Sequence, residues 1–141
     1  MSSTYHGYSS DDLTTLISNV STLSASILTL TETGGTLTAD GTEQNVYINN
    51  APTGVYTPKE VKIDFTNHTL GETVILRVYY RIKTGGDFIK QTLDATYTYT
   101  GVQDPLLVNL PLEDNRYGVK VTLETTAGAN RDYDWEVVYK V

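Results

Sequence analysis

The sequence predicts a mainly β protein in which one N-terminal α-helix precedes an antiparallel β-sandwich of immunoglobulin-like or jelly-roll type. Two observations lead to this fold class. Apolar residues recur at alternating steps of three and four between Leu13 and Leu30, which is the spacing of a helix. From Thr36 onward apolar and polar residues alternate with period two, and turn residues interrupt the alternation at regular intervals, as in half-buried strands.

The predicted helix begins near Ser10 and runs to about Thr31. Ser9 and Asp12 have the spacing of a capping pair, and the first turn is acidic, which the helix dipole favours. The glycine pair that starts at Gly34 marks the expected stop. Most of the remaining positions are Ser, Thr or Asn, which are mediocre helix formers, so the helix needs a surface to pack against.

We expect one face of this helix to be an oligomerisation surface. A stripe of apolar residues keeps the 3.5-residue period of a coiled-coil seam within a segment that carries no charge. We favour a homo-oligomeric bundle, dimer or trimer, and the alternative is packing of the helix on its own β-domain. The predicted association residues are Leu13, Leu16, Ile17, Val20, Leu23, Ile27 and Leu30.

Seven or eight strands are expected after the helix, with the clearest alternations at residues 61–65, 74–82, 117–124 and 133–140. The segment from Thr84 to Asp87 contains two glycines between strand patterns and predicts a hairpin, because glycine tolerates the positive φ of tight hairpins. The chain therefore divides into an arm with a helix, residues 1–35, and a sandwich domain, residues 36–141. The strand order stays open.

Composition argues against several functional classes. The chain has no Cys, so it has no disulfide, thiolate metal site or cysteine nucleophile. A net charge of −7 argues against nucleic-acid partners, which require basic surfaces. No segment approaches the roughly 18 apolar residues of a membrane span, and the start of the sequence lacks the pattern of a signal peptide. We therefore expect a protein made in the cytoplasm.

The sequence also predicts no enzyme, no metal site and no cofactor. His6 and His68 lie far apart, without a Cys or an adjacent His to complete a metal site or a catalytic triad. The acidic groups at residues 113–115 and 132–134 do not match the spacing of a calcium-binding EF-hand loop. We interpret them as solvated charge at the ends of strands.

The chain is rich in tyrosine, with eleven Tyr against two Phe and one Trp. Tyr79, Tyr97 and Tyr99 are candidates for surface aromatic contacts, since alternation puts Tyr97 and Tyr99 on one face of a strand. Such a platform could bind a glycan. For the aromatic residues as a set, a core or intersubunit role is favoured, because alternation places half of them inside. A carbohydrate- or surface-binding module is therefore the alternative function.

The arrangement of the chain resembles small virion proteins of tailed phages and related viruses, such as head decoration and fibre-like proteins. The resemblance rests on the helix from Asp11 to Leu30, on the segment TETGGTLTADGTEQNVYINNAP and on the closing segment NRYGVKVTLETTAGANRDYDWEVVYKV. It implies a non-enzymatic structural subunit of a virion assembled in the host cytoplasm. In this role the arm and helix self-associate or dock on a capsid lattice protein, while the β-domain packs against neighbours or projects outward.

Overall fold

A computed structural model describes residues 7, 9–26, 30–91, 94–101 and 106–140. These residues form one helix followed by strands in two antiparallel sheets, which confirms the predicted β-sandwich with an N-terminal helix. The elements are α1 (Ser10–Ser26), β1 (Leu30–Thr38), β2 (Gln44–Asn49), β3 (Thr57–Asp64), β4 (Thr73–Tyr80), β5 (Ile89–Lys90), β6 (Ala95–Thr98), β7 (Leu107–Pro111), β8 (Val119–Ala127) and β9 (Asp132–Lys140).

The order of the strands is built from long-range pairings. The first sheet has the order β1-β9-β3-β7. The second has the order β2-β8-β4, and the short strands β5 and β6 both pair with the far side of β4. Among the described strands, β4 and β5 alone are neighbours both in the sequence and in a sheet. Local sequence patterns therefore carry little information about this order.

The core lies between the two sheets and consists of alternate residues of their strands. In β4, Val74, Leu76 and Val78 are buried, and the residues between them are half-buried on the outer face. The largest fully buried side chains are those of Tyr133 and Phe65. The alternations in the sequence therefore identify the inward-facing residues of the central strands.

The loop from residue 81 to residue 88 joins β4 and β5 where the hairpin is predicted. Tyr80 pairs with Ile89 across it, and Gly85 has a φ of +66°, in the left-handed region that favours glycine. The loop has more residues than the tight turn that a glycine pair suggests. The position of the hairpin is thus predicted by its glycines, and its length is not.

The structure corrects the predicted end of the helix. The described helix ends at Ser26, and Leu30 is the first residue of β1. This strand pairs with β9 along its whole length, from Leu30 with Lys140 to Thr38 with Asp132. The predicted domain division between residues 35 and 36 passes through β1, so we propose that the β-domain begins at residue 30.

Candidate functional site

Reciprocal hydrogen bonds cap the first turn of α1. The backbone N–H of Ser9 donates to Asp12 Oδ2 at 2.9 Å, and the backbone N–H of Asp12 donates to Ser9 Oγ at 3.1 Å. The backbone N–H and the hydroxyl of Ser9 both donate to the Asp12 carboxylate, so they favour its ionised form and lower the pKa of Asp12. The cap satisfies backbone donors that have no partner within the helix, so the helix begins where the sequence predicts.

One face of α1 is apolar and open to solvent. Leu13 and Leu16 are 49% and 54% exposed, and Ile17 and Val20 are 66% and 57% exposed. We call these four side chains the α1 apolar face. Leu16, Ile17 and Val20 follow Leu13 by three, four and seven residues, so the four side chains lie along one side of the helix.

The β-sandwich does not cover the α1 apolar face. All described side chains from Ser9 to Thr22 are exposed, and the strands take their packing partners from one another. The alternative in which the helix packs on its own β-domain is therefore not what the described residues show. Four large apolar side chains on one short helix have no packing partner among the described residues.

The other predicted association residues do not extend this face. The side chain of Leu23 and the whole of Ile27 lie outside the described residues. Leu30 lies in the edge strand β1 and is 62% exposed there. The prediction that Leu30 belongs to the helical stripe is wrong, because the period of three and four continues by coincidence into a strand.

The three candidate surface tyrosines do not form one platform. Tyr79 lies on the outer face of the second sheet, where its hydroxyl donates to Glu43 Oε1 at 2.6 Å. Tyr97 faces the interior, with its ring centroid 5.7 Å from that of Phe65. Tyr99 is half-buried after the end of β6. Tyr97 is therefore a packing residue rather than a surface contact.

A cavity of about 530 Å³ lies at one end of the sandwich, between the β4–β5 loop and the β7–β8 loop. We call it the loop-end groove. Two isoleucines in its lining, Ile82 and Ile89, are 72% and 55% exposed. Its lining includes Tyr80, Ile82, Ile89, Asn115, Arg116 and Tyr117. Sequence analysis missed this groove, because its two walls come from distant parts of the chain.

The described residues show no arrangement typical of a catalytic or metal centre. Nowhere in the described ranges do three His, Asp or Glu side chains come together as metal ligands. Buried His68 is instead held by the Tyr133 hydroxyl, 2.7 Å from Nε2, and burial lowers its pKa. Within the same ranges, no helix has the length and apolar character to cross a membrane.

Comparison with known proteins gives weak similarities. No protein-family model and no curated protein matches the chain. A chain of the T=1 particles derived from infectious bursal virus matches with a TM-score of 0.49 and 11% identity over 82% of this chain. A chain of the infectious bursal disease virus Gt strain matches with a TM-score of 0.45 and 13% identity, also over 82% of this chain.

A third similar structure comes from Bacillus endospore appendages, which are described as disulfide-linked pili. It matches with a TM-score of 0.45 and 18% identity over 81% of this chain and 88% of its own chain. This protein spans about one third of the two viral chains, 32% and 33% of their lengths. Likenesses of this size assign no function, so the case for one depends on the chain's own geometry.

Proposed function

We propose that this protein is a non-enzymatic structural subunit that self-associates through the α1 apolar face. The observation that carries the proposal is the exposure of four large apolar side chains on a helix that no described strand covers. Burial of each such side chain in a contact between copies stabilises that contact by roughly 1.5–3 kcal/mol. The helix is poor in strong helix formers, so the same contact also stabilises its fold.

The setting that we propose is a virion. The support is the arrangement of the chain, a short apolar helix ahead of a Tyr/Thr-rich sandwich, which resembles small structural proteins of tailed phages and related viruses. In such an assembly the helix contacts another copy or a capsid lattice protein, and the sandwich packs against neighbours or projects outward. We propose a homo-oligomer, with a dimer or trimer as its smallest unit, assembled in the host cytoplasm.

We infer that the sandwich is of the jelly-roll rather than the immunoglobulin-like type. In an immunoglobulin-like domain the first strand shares a sheet with the second. Here β1 and β2 belong to different sheets, and β1 pairs with the last strand, β9. This pairing of the ends, with consecutive strands mostly in opposite sheets, supports two Greek keys wound together in a jelly roll.

The carbohydrate- or surface-binding alternative has less support. That function requires several aromatic rings on one exposed face. The ring of Tyr97 packs in the interior, and Tyr79 is held by Glu43 and by Lys120, whose Nζ lies 4.3 Å from the Tyr79 ring centroid. The described tyrosines therefore stabilise the sandwich more than they present a binding strip.

A pair of substitutions in α1 tests the proposed function. Ile17→Asp places an unpaired carboxylate in the α1 apolar face, and we expect the dissociation constant of the oligomer to rise at least about tenfold. Thr15→Asp adds the same charge on the opposite side of the helix and is expected to leave association unchanged. Sedimentation velocity over a concentration series measures both. Equal association of Ile17→Asp and the native chain would exclude α1 from the interface.

A further inference from the structure

The walls of the loop-end groove are held in place by hydrogen bonds. The Tyr80 hydroxyl accepts the backbone N–H of Glu113 at 2.7 Å. Tyr56 and Asn115 exchange backbone hydrogen bonds of 2.7 and 2.9 Å. A groove held in this way loses little conformational freedom when a partner binds. Its exposed isoleucines, Ile82 and Ile89, remain in water in the described part of the chain.

The groove also lies at a comparatively positive part of an acidic chain. The residues that line it, 80–82, 89–91 and 113–117, contain three basic and two acidic side chains, whereas the whole chain has a net charge of −7. Arg116 forms no ion pair with the described residues and lies over the ring of Tyr117, 5.5 Å from its centroid. It is therefore available to a carboxylate of an approaching partner.

The α1 apolar face has the pattern that such a groove accepts. Its residues stand at positions i, i+3, i+4 and i+7, the anchor spacing by which an amphipathic helix lies in an apolar groove. The described helix carries its charges in the first turn, on Asp11 and Asp12, and has no basic residue in its last turn. An acidic helix start and a groove with a free arginine are complementary in charge.

We propose that the α1 apolar face of one copy docks in the loop-end groove of a second copy, with the acidic first turn near Arg116. The inference rests on the proposed self-association and names the surface that receives the helix. Reciprocal exchange of both helices between two copies would close a two-fold dimer. Where the exchange is not reciprocal, the contact is heterologous and each copy keeps a free helix or groove for another copy. The assembly then grows head to tail, into a ring or a filament, whereas a helix bundle closes at a fixed small number of copies.

A matched pair of charge substitutions tests the groove. Ile82→Asp places a carboxylate on the exposed groove wall, and we expect the dissociation constant to rise at least about tenfold. Leu70→Asp is the control, because Leu70 and Ile82 are nearly equally exposed, at 73% and 72%, and Leu70 lies in a loop outside the groove. Sedimentation velocity compares them, and circular dichroism verifies that both fold. An equal effect of the two substitutions would overturn groove docking.

Single cysteines identify the contacting surfaces directly, because the native chain has no Cys. Ile17→Cys is mixed with ¹⁵N-labelled Ile89→Cys and oxidised gently, and mass spectrometry counts the disulfide-linked pairs. We expect the mixed pair to exceed either like pair about fivefold. Thr126→Cys, exposed near the end of β8 and outside the groove, replaces Ile89→Cys in the control and is expected to give background yields.

The outcomes separate this inference from the proposed function. An excess of Ile17→Cys homodimers would overturn groove docking and support contact between two helices, which leaves self-association through α1 intact. Background yields in every mixture would also overturn groove docking. If the native chain is in addition monomeric at the highest concentration, the proposed function fails with it.

Discussion

At the scale of single residues, Glu72 shows how the sandwich uses a buried charge. Its side chain is 5% exposed, and its carboxylate accepts hydrogen bonds from the Arg131 guanidinium at 2.7 Å and the Thr69 backbone N–H at 2.8 Å. These bonds outweigh burial and lower the pKa of Glu72 to about 2. A general acid or base needs a pKa near the working pH, so Glu72 is a structural link between two loops.

The low pKa of Glu72 predicts that the fold loses stability in acid. The folded pKa of about 2 is below the ordinary value of 4.5, so the stabilisation is complete above pH 4.5 and disappears as the pH falls towards 2. We expect a contribution of about 2 kcal/mol, less than the shift alone implies, because Arg131 is one-third exposed and solvent screens the pair. Urea unfolding of the native chain and Glu72→Gln at several pH values measures it.

The control in the same experiment is the loss of folding stability that His68 causes at higher pH. Burial lowers the pKa of His68 below 6.5, so protonation of the unfolded chain reduces stability as the pH falls through 6.5. Both proteins should show this loss, and it should be larger in Glu72→Gln, because the Glu72 charge opposes the effect of burial on the pKa of His68. A Glu72→Gln variant that keeps the native slope between pH 4.5 and 2 would contradict the role of Glu72.

The sequence predicts the position of His68 in a turn better than it predicts which residues surround it. The sequence predicts that His68 lies in a turn and, since it has no Cys or adjacent His, that it is not a metal ligand. Its burial depends on Tyr133 and Phe65, and Tyr133 comes from a strand 65 residues later. The sequence pattern around His68 therefore does not indicate that Tyr133 is its neighbour.

At the scale of elements, β1 shows why two glycines can lie within a strand. A Cβ atom on Gly34 would stand 2.6 Å from the backbone oxygen of Trp135 in the neighbouring strand β9. A Cβ atom on Gly35 would stand 3.4 Å from the Trp135 ring. Gly34 therefore allows close approach of β1 to β9, whereas a Cβ atom on Gly35 would be at ordinary contact distance. Both glycines lie within the strand rather than ending the helix as the sequence suggests.

These distances predict different effects for two similar substitutions. Gly34→Ala forces β1 away from β9, and we expect it to destabilise the fold by about 1–3 kcal/mol. Gly35→Ala has nearly enough space and is expected to change stability by less than about 1 kcal/mol. Chemical denaturation of both variants is the measurement. Equal stability of the two would contradict the β1–β9 contact.

The two ends of α1 differ in how well the sequence predicts them. The start depends on Ser9 and Asp12, which are three residues apart and interact within one turn. The end depends on where β1 begins, and Leu30 is drawn into a sheet by β9 at the other end of the chain. The apolar period alone cannot separate a helical residue from a strand residue that happens to fall in phase.

At the scale of the whole molecule, the described part of the helix is separate from the core of the sandwich. The buried core consists of residues between 39 and 137, and no described side chain of α1 belongs to it. The alternating strands predict the sandwich, whereas the strand order requires the long-range pairings of β1, β9 and β3. The exposed face of α1 follows from its period, but the loop-end groove requires the folded loops.

Removal of residues 1–26 tests this separation. Because α1 contributes nothing to the described core, we expect the shortened chain to unfold cooperatively, with a free energy of unfolding within about 1 kcal/mol of the native value at monomer concentrations. Thermal and urea unfolding measure it. Loss of cooperative unfolding would show that the helix is part of the folding unit.

The mass of the native chain in solution tests the central claim most directly. Static light scattering over a concentration series should give masses that rise above the 15.6 kDa of one chain towards a multiple of it, and the chain without residues 1–26 should remain at the monomer mass. A native chain that stays at the monomer mass at every concentration, or a shortened chain that associates equally well, would contradict self-association through α1.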